Sequence, residues 1–245
     1  MATAPEGARD TESRPTFGER VEPDHERVDA DAWNDIFVVG DVHGCLAELE
    51  ALLDRLAVGD DDLVVFVGDL VRKGPDTEGV LDLVRDRPNL RSVRGNNEAK
   101  VLRGETGLDL SARNAGFVRS LPVAISWDGA LVVHGGVDPR RDLADHEATD
   151  LLTMRAPRAA DEYEGPLWYD DYDGPPTVLS GHTVHEGPVA TDAAVALDTG
   201  CVHGGALTAY DWRGGEFVSV PAEETYLPRS DDKIVRPDGG ESVFE

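Results

Sequence analysis

The most constraining feature of this chain is a repeated join, in which a short apolar run passes at once into glycine, aspartate, histidine or asparagine. Ile36-Phe37-Val38-Val39 runs into Gly40-Asp41-Val42-His43-Gly44, and Leu63-Val64-Val65-Phe66-Val67 into Gly68-Asp69-Leu70-Val71-Arg72-Lys73-Gly74. Leu90-Arg91-Ser92-Val93 runs into Arg94-Gly95-Asn96-Asn97-Glu98. Two later runs end in Val133-His134-Gly135-Gly136 and Ser180-Gly181-His182-Thr183. Short apolar runs bounded by turn residues predict buried strands. Between the first two, Leu46, Leu49, Leu52, Leu53 and Leu56 recur at helical spacing. Further helices are expected at Thr77 to Arg85 and from Asn97 to Leu102. Strand alternating with helix is the rhythm of an α/β domain. Ligands of open α/β sheets bind at the carboxyl ends of strands, so these loops are expected to converge on one site.

The second half is richer in strands. Pro122 to Trp127 and Ala130 to Val133 predict a hairpin across Asp128-Gly129. Others are expected at Thr177 to Ser180, Ala194 to Leu197, Ala206 to Trp212 and Glu216 to Val220. The segment from Arg155 to Pro176 is expected as a loop carrying Trp168, Tyr169 and Tyr172. Residues 1–33 are expected to form a flexible acidic tail, 34–221 the folded domain and 222–245 a C-terminal tail. No internal repeat is visible.

Composition excludes several functions. Asp and Glu total 49 against 23 Lys and Arg, with only Lys73, Lys100 and Lys233 as lysines. No basic patch suited to nucleic acid is visible. No stretch approaches the ~18–20 apolar residues of a membrane span, and the polar N-terminus lacks the apolar core of a secretory signal. A cytoplasmic protein is expected. The acid is spread over every segment, which reads as a halophilic surface whose self-repulsion salt screens. Cys45 and Cys201 are too few and too far apart in sequence for a disulfide framework or a thiolate zinc site. They are expected as small buried residues.

The donor types in the five loops are carboxylate, imidazole and amide oxygen, which suit manganese, iron or zinc better than magnesium. Two such cations need a shared carboxylate, and glycine lets backbone approach them closely. The Asp, His and Asn residues of the five loops are the candidate ligands.

With those motifs in order, the chain resembles the calcineurin-like metallophosphoesterase superfamily in its phosphoprotein-phosphatase branch, over roughly residues 35 to 213. The resemblance implies an αββα sandwich of two mixed sheets flanked by helices. It also implies a two-metal hydrolase of phosphate monoesters or anhydrides, with a metal-bridging water as nucleophile. Asp41, His43 and Asp69 would hold one metal and Asp69, Asn96, His134 and His182 the other, with manganese the first candidate and iron or zinc next. Asp198-Thr199-Gly200-Cys201-Val202-His203-Gly204-Gly205 is similar to the C-terminal signature of symmetrical diadenosine tetraphosphatases and bacterial serine/threonine protein phosphatases. Arg155 is similar to a phosphate-holding arginine; with Arg72, Lys73 and Arg94 it completes the candidate substrate-binding set. The implied partner is a phosphorylated small molecule, a nucleotide polyphosphate or a phosphoprotein.

Two positions depart from the family pattern. Asn97 stands where the third motif carries a histidine that protonates the leaving oxygen. Arg72 stands where the protein-phosphatase branch keeps an aspartate that orients it, and Lys73 replaces the neighbouring arginine. The joint change predicts substrates whose leaving group needs little protonation, with Arg72 neutralising developing charge. His203, and less readily His185, are candidates to replace the acid, against a simpler reading of both as solvent-facing loop residues. The two departures are the only support for an alternative, a metal-binding regulatory module that recognises phosphate with little turnover, and the intact ligand set argues against it.

Overall fold

In the computed structural model, residues 14–157 and 166–236 are described. The strands are β1 (His25–Arg27), β2 (Ile36–Val39), β3 (Leu63–Phe66), β4 (Leu90–Ser92), β5 (Ala124–Trp127), β6 (Ala130–Val133), β7 (Thr177–Ser180), β8 (Val189–Ala190), β9 (Ala194–Ala196), β10 (Ala206–Asp211) and β11 (Phe217–Pro221). The helices are α1 (Leu46–Arg55), α2 (Thr77–Asp86), α3 (Asn96–Leu102), α4 (Ala112–Ser120) and α5 (Ala148–Thr153).

Two mixed sheets form, ordered β11-β10-β2-β3-β4 and β1-β5-β6-β7-β9-β8. In the first, β2, β3 and β4 are parallel and β10 runs antiparallel to β2. In the second, β6, β7 and β9 are parallel, and β5 and β6 make the expected antiparallel hairpin across Asp128-Gly129.

Strand side chains alternate between faces, so a strand buried on both sides contributes to two cores. Ile36 and Val38 of β2 and Leu63 and Val65 of β3 face the second sheet and pack with Ile125, Val132, Leu179 and Val195. Phe37, Val39, Val64 and Phe66 point the other way, onto Leu49, Leu52 and Leu53 of α1 and Val80, Leu81 and Val84 of α2. The outer face of the second sheet is closed by Leu151 of α5 and by Trp168 and Tyr169 from the long loop. This is the four-layer sandwich expected from the sequence. Among the described residues no helix is long and apolar enough to cross a membrane.

The N-terminal segment departs from the expected tail. Phe17 and Val21 are buried, and residues 25–27 pair in parallel with Ala124 to Ser126 as the edge strand β1. Val28, Ala30 and Trp33 also pack, partly buried, against the core between the sheets, and these apolar residues are scattered among polar ones with no sustained period to mark the segment. Residues 1–13 lie outside the described residues. At the other end Tyr226 donates its hydroxyl hydrogen to Glu48 Oε1 (3.0 Å), and Val235 pairs with the His185 backbone, so residues 222–236 are docked on the domain. Residues 237–245 are not among those described.

Candidate metal centre

The joins between strands and loops place five functional segments at one end of the sandwich. The β2 loop delivers Asp41 and His43, the β3 loop Asp69, the N-terminus of α3 Asn96, the end of β6 His134 and the end of β7 His182. The sharpness of these joins is visible in the backbone. His43, Asp69 and His182 all have left-handed φ (51°, 52° and 68°), as do Arg72 and Lys73 (71° each). Each such residue costs on the order of 1 kcal/mol or more, a strain typical of sites where side-chain direction matters. Glycine clears the way for the carboxylates. A Cβ on Gly181 would sit 1.9 Å from Asp41 Oδ1, and one on Gly95 would sit 2.2 Å from Asp69 Oδ1.

Asp69 lies between two groups of donors. Its Oδ2 is 3.5 Å from His43 Nε2, and its Oδ1 is 3.5 Å from His134 Nε2. Asp41 Oδ2 is 3.8 Å from the same His43 nitrogen. Asn96 Oδ1 lies 3.3 Å from His134 Nε2. The His182 ring packs edge-on to His134 at 4.9 Å between centroids. All six predicted ligands are therefore brought together.

The donor set fits divalent cations on a test internal to the structure. The carbonyls of Val71 and Val67 lie 3.1 and 2.9 Å from Nδ1 of His43 and His134, which places each ring's proton there. The His134 Nε2 then presents a lone pair to Asp69 Oδ1 and Asn96 Oδ1, so acceptors face acceptors there, while the His43 Nε2 lone pair is met by the Lys73 ammonium at 2.7 Å, which a cation would displace. His182 Nε2 is buried without a hydrogen-bond partner. Converging lone pairs of this kind, with histidines oriented by backbone carbonyls, are what a metal site requires. Among the described residues, Asp41, Asp69 and His134 form one of two buried donor groups that could hold a metal.

Electrostatics agree. Burial, reinforced by the negative charges of Asp198 and Asp69, pushes the Asp41 carboxyl well above the usual range. Asp69 goes the other way: burial opposes its ionisation, but His134, His43 and Lys73 outweigh burial and hold it low. Burial and the Lys73 ammonium lower His43 to about 4, keeping the imidazole neutral and able to bind a cation. Burial, His134 and Arg155 lower His182.

The predicted cationic residues separate. Lys73 Nζ is 2.7 Å from His43 Nε2, inside the centre. Arg155 is close enough to depress the His182 imidazole. Arg72 donates from its guanidinium to Asn97 Oδ1, and Asn97 in turn donates from Nδ2 to Asp69 Oδ2 and from its backbone N–H to Asp69 Oδ1 (2.8 Å). The two departures from the family pattern are thus bonded to each other and to the central carboxylate. Arg94 does not join them. Its guanidinium donates to the carbonyls of Leu121 (2.7 Å) and Arg119 (3.3 Å) at the end of α4, where it caps the helix dipole. Its expected role in substrate binding is replaced by a structural one.

The candidate substitute acids also sit elsewhere. His185 is fully buried against the Tyr169 hydroxyl (2.8 Å), not exposed on a loop, because the long loop folds over it. His203 is partly buried, with Nδ1 donating to the Leu227 carbonyl (2.6 Å) of the docked C-terminal segment.

Glu98 was not singled out by the sequence. Buried at the start of α3, it accepts N–H groups from Asp69 (2.9 Å), Val71 (3.1 Å) and Gly95 (2.7 Å), and so ties the second loop to the third. Burial and the Asp69 charge raise it to about 7. The available signal was its place three residues into a helix, where a glutamate reaches back to the cap. Asp198 is also buried, and its carboxylate accepts from Gly200 N (3.0 Å) while its charge bears on Asp41.

Comparison with known proteins agrees with this geometry. The family model for calcineurin-like phosphoesterases matches residues 35–208. A bis(5'-nucleosyl)-tetraphosphatase PrpE [asymmetrical] of Geobacillus thermodenitrificans is 29% identical over 238 residues, covering 79% of this chain and 96% of that protein. It carries the asymmetrical designation, where the C-terminal signature pointed to the symmetrical group. Serine/threonine-protein phosphatase 1 of Salmonella typhimurium is 40% identical, but over 84 residues, 34% of this chain and 38% of its own length. Among solved structures, that of a candidate diadenosine tetraphosphatase superposes with a TM-score of 0.75 at 32% identity, covering 81% of this chain and 97% of the other. On the matched residues, the sandwich and the donors at its strand ends, the chain belongs to the calcineurin-like phosphoesterases.

Proposed function

We propose that this metallophosphoesterase is a two-metal hydrolase of nucleotide polyphosphates, cleaving phosphoanhydrides of the dinucleoside tetraphosphate type. The observation that carries the reading is the bonded series Arg72, Asn97 and Asp69. An amide has no acidic proton for an alkoxide, so this arrangement suits a leaving group already stable as an anion. A nucleotide phosphate is such a group, and so is an aryl oxide. Similarity to a tetraphosphatase over 79% of this chain, against 34% for a protein phosphatase, supports the same choice.

Asp41, His43 and Asp69 would hold one cation, and Asp69, Asn96, His134 and His182 the other. When bound, the cations, manganese first among the candidates, supply Lewis acidity and an activated water. The chain's own residues do the rest. Val67 and Val71 fix the imidazoles through Nδ1. Asn97 holds both oxygens of Asp69 and so sets the angle of the shared carboxylate. Arg72 and Lys73 offer positive charge beside the centre, and Arg155 offers it beside His182. In so acidic a protein these cations are what draws a polyphosphate in. The evenly acidic surface supports a salt-rich, cytoplasmic setting.

The test compares diadenosine tetraphosphate, an aryl phosphate and a phosphoserine peptide, with manganese at high salt. A general acid is worth about 10²–10⁴-fold, so the peptide is expected to be slower than the other two by that order. Hydrolysis of the peptide as fast as the anhydride would sink the proposal. The same Arg72 and Asn97 pair also suits a module that recognises phosphate with little turnover. Turnover that disappears in Asp69→Asn, with metal content measured in parallel, separates the two.

A further inference from the structure

Behind the catalytic loops lies a second group of donors that the phosphoesterase chemistry does not use. Cys45 precedes the first residue of α1, Glu48 is one turn into that helix, and Cys201 begins a tight turn inside the C-terminal signature. All three are fully buried, with exposures of 0%, 1% and 1%. One ligand atom from each lies within 4.8 Å of the other two, and both thiols are free.

Glu48 makes this more than a pair of packed cysteines. Its Oε1 accepts from Glu223 N and from the Tyr226 hydroxyl, each at 3.0 Å. Its Oε2 is buried with no hydrogen-bond partner. Leaving a buried carboxylate oxygen unsatisfied is costly, and buried charges are normally paired or bound to metal. The groups placed within reach of this carboxylate are the Cys45 and Cys201 thiols, which are only weak donors.

We propose that Cys45, Glu48 and Cys201 form a second, structural metal site for a thiophilic divalent cation of the zinc class. Two sulfurs on one zinc, each ~2.3 Å from it, stand about 3.8 Å apart; the sulfurs here lie within 4.8 Å of each other, so binding would draw them together by no more than about 1 Å. Binding would release the two thiol protons to solvent; the two thiolates and Glu48 would fill three of the four positions zinc takes, and Glu48 Oε2 gains the partner it lacks. The site would clamp the start of α1 to the C-terminal signature. Cys45 follows the Asp41–His43 loop directly, and Cys201 follows Asp198, whose charge reaches Asp41. The clamp therefore braces the catalytic floor from behind.

The catalytic donor set contains no sulfur, so a thiolate-specific signal distinguishes the two sites and does not depend on the substrate proposed above. The reduced full-length protein is titrated with Cd2+, and the ultraviolet thiolate-to-cadmium charge-transfer band is followed. One equivalent with this band is expected, displaced by Zn2+. The band should vanish in Cys45→Ser and Cys201→Ser. Glu48→Gln keeps an oxygen for the Glu223 and Tyr226 donors, and should hold the cation at least tenfold more weakly. Absence of the band in reduced wild-type protein, whose thiols are counted after unfolding, overturns the proposal without recourse to any variant. So does a band that persists when both cysteines are replaced, or a Cys45–Cys201 disulfide that re-forms in the presence of excess zinc.

Discussion

Acidification should destabilise this protein through one buried histidine whose contribution can be isolated. His185 is enclosed between Tyr169 and the backbone near Asp198, and burial lowers it from the ordinary 6.5 to about 4. The unfolded chain therefore takes up a proton near pH 6.5 that the folded chain refuses until about pH 4. Between those values the unfolded state binds more protons, so stability falls as pH falls. At ~1.4 kcal/mol per pH unit the loss by pH 4 is about 3 kcal/mol, a large part of the 5–15 kcal/mol that typically holds a domain together. His43, lowered to about 4, titrates over the same window, and other groups contribute to acid unfolding. The assay is therefore a difference of differences. Urea unfolding of wild type and His185→Gln is compared at pH 7 and pH 4, at constant high salt and with the same manganese concentration. Glutamine can still hydrogen-bond the Tyr169 hydroxyl but cannot titrate. Wild type should lose about 3 kcal/mol more than the variant over this range. Parallel losses in the two proteins would refute the argument, because His185 would then be taking up its proton in the folded state.

Other expectations concern the centre and its frame. Asp69→Asn should abolish turnover, by at least 10³-fold, and lower bound metal as measured by elemental analysis, since both donor groups face this carboxylate. Gly95→Ala should have nearly the same effect with the ligands intact, because the added methyl collides with Asp69 Oδ1; full metal content would contradict this. Arg94→Ala should leave KM within about twofold and cost about 1–3 kcal/mol in unfolding assays, the value of charge-assisted bonds to carbonyls. Lowering the salt should reduce Tm steadily, since a net charge of −26 repels itself less when screened; a Tm independent of salt would remove the halophilic reading.

The sequence by itself determined the layers and the donors. Two-sided apolar strands alternating with amphipathic helices require buried sheets, and each strand end fixes which residue leaves the core first. That is local information, with a period of two or 3.6 residues; it was the ordered motifs and their resemblance to a known family that marked Asp41, His43, Asp69, Asn96, His134 and His182 as the candidate ligands. What the tertiary structure decided were contacts between segments far apart in the chain. Arg94 lies two positions from a candidate ligand in sequence, yet its side chain reaches the end of α4. His185 looked like a loop residue, yet Tyr169 covers it from 16 positions away. Residues 25–27 gain a strand from β5 by backbone hydrogen bonding, which leaves no mark in side-chain pattern. Cys45 and Cys201, 156 positions apart (201 − 45), read as isolated small residues until the fold set Glu48 between them. Strand order and loop path set such pairings, and neither has a period that a sequence displays.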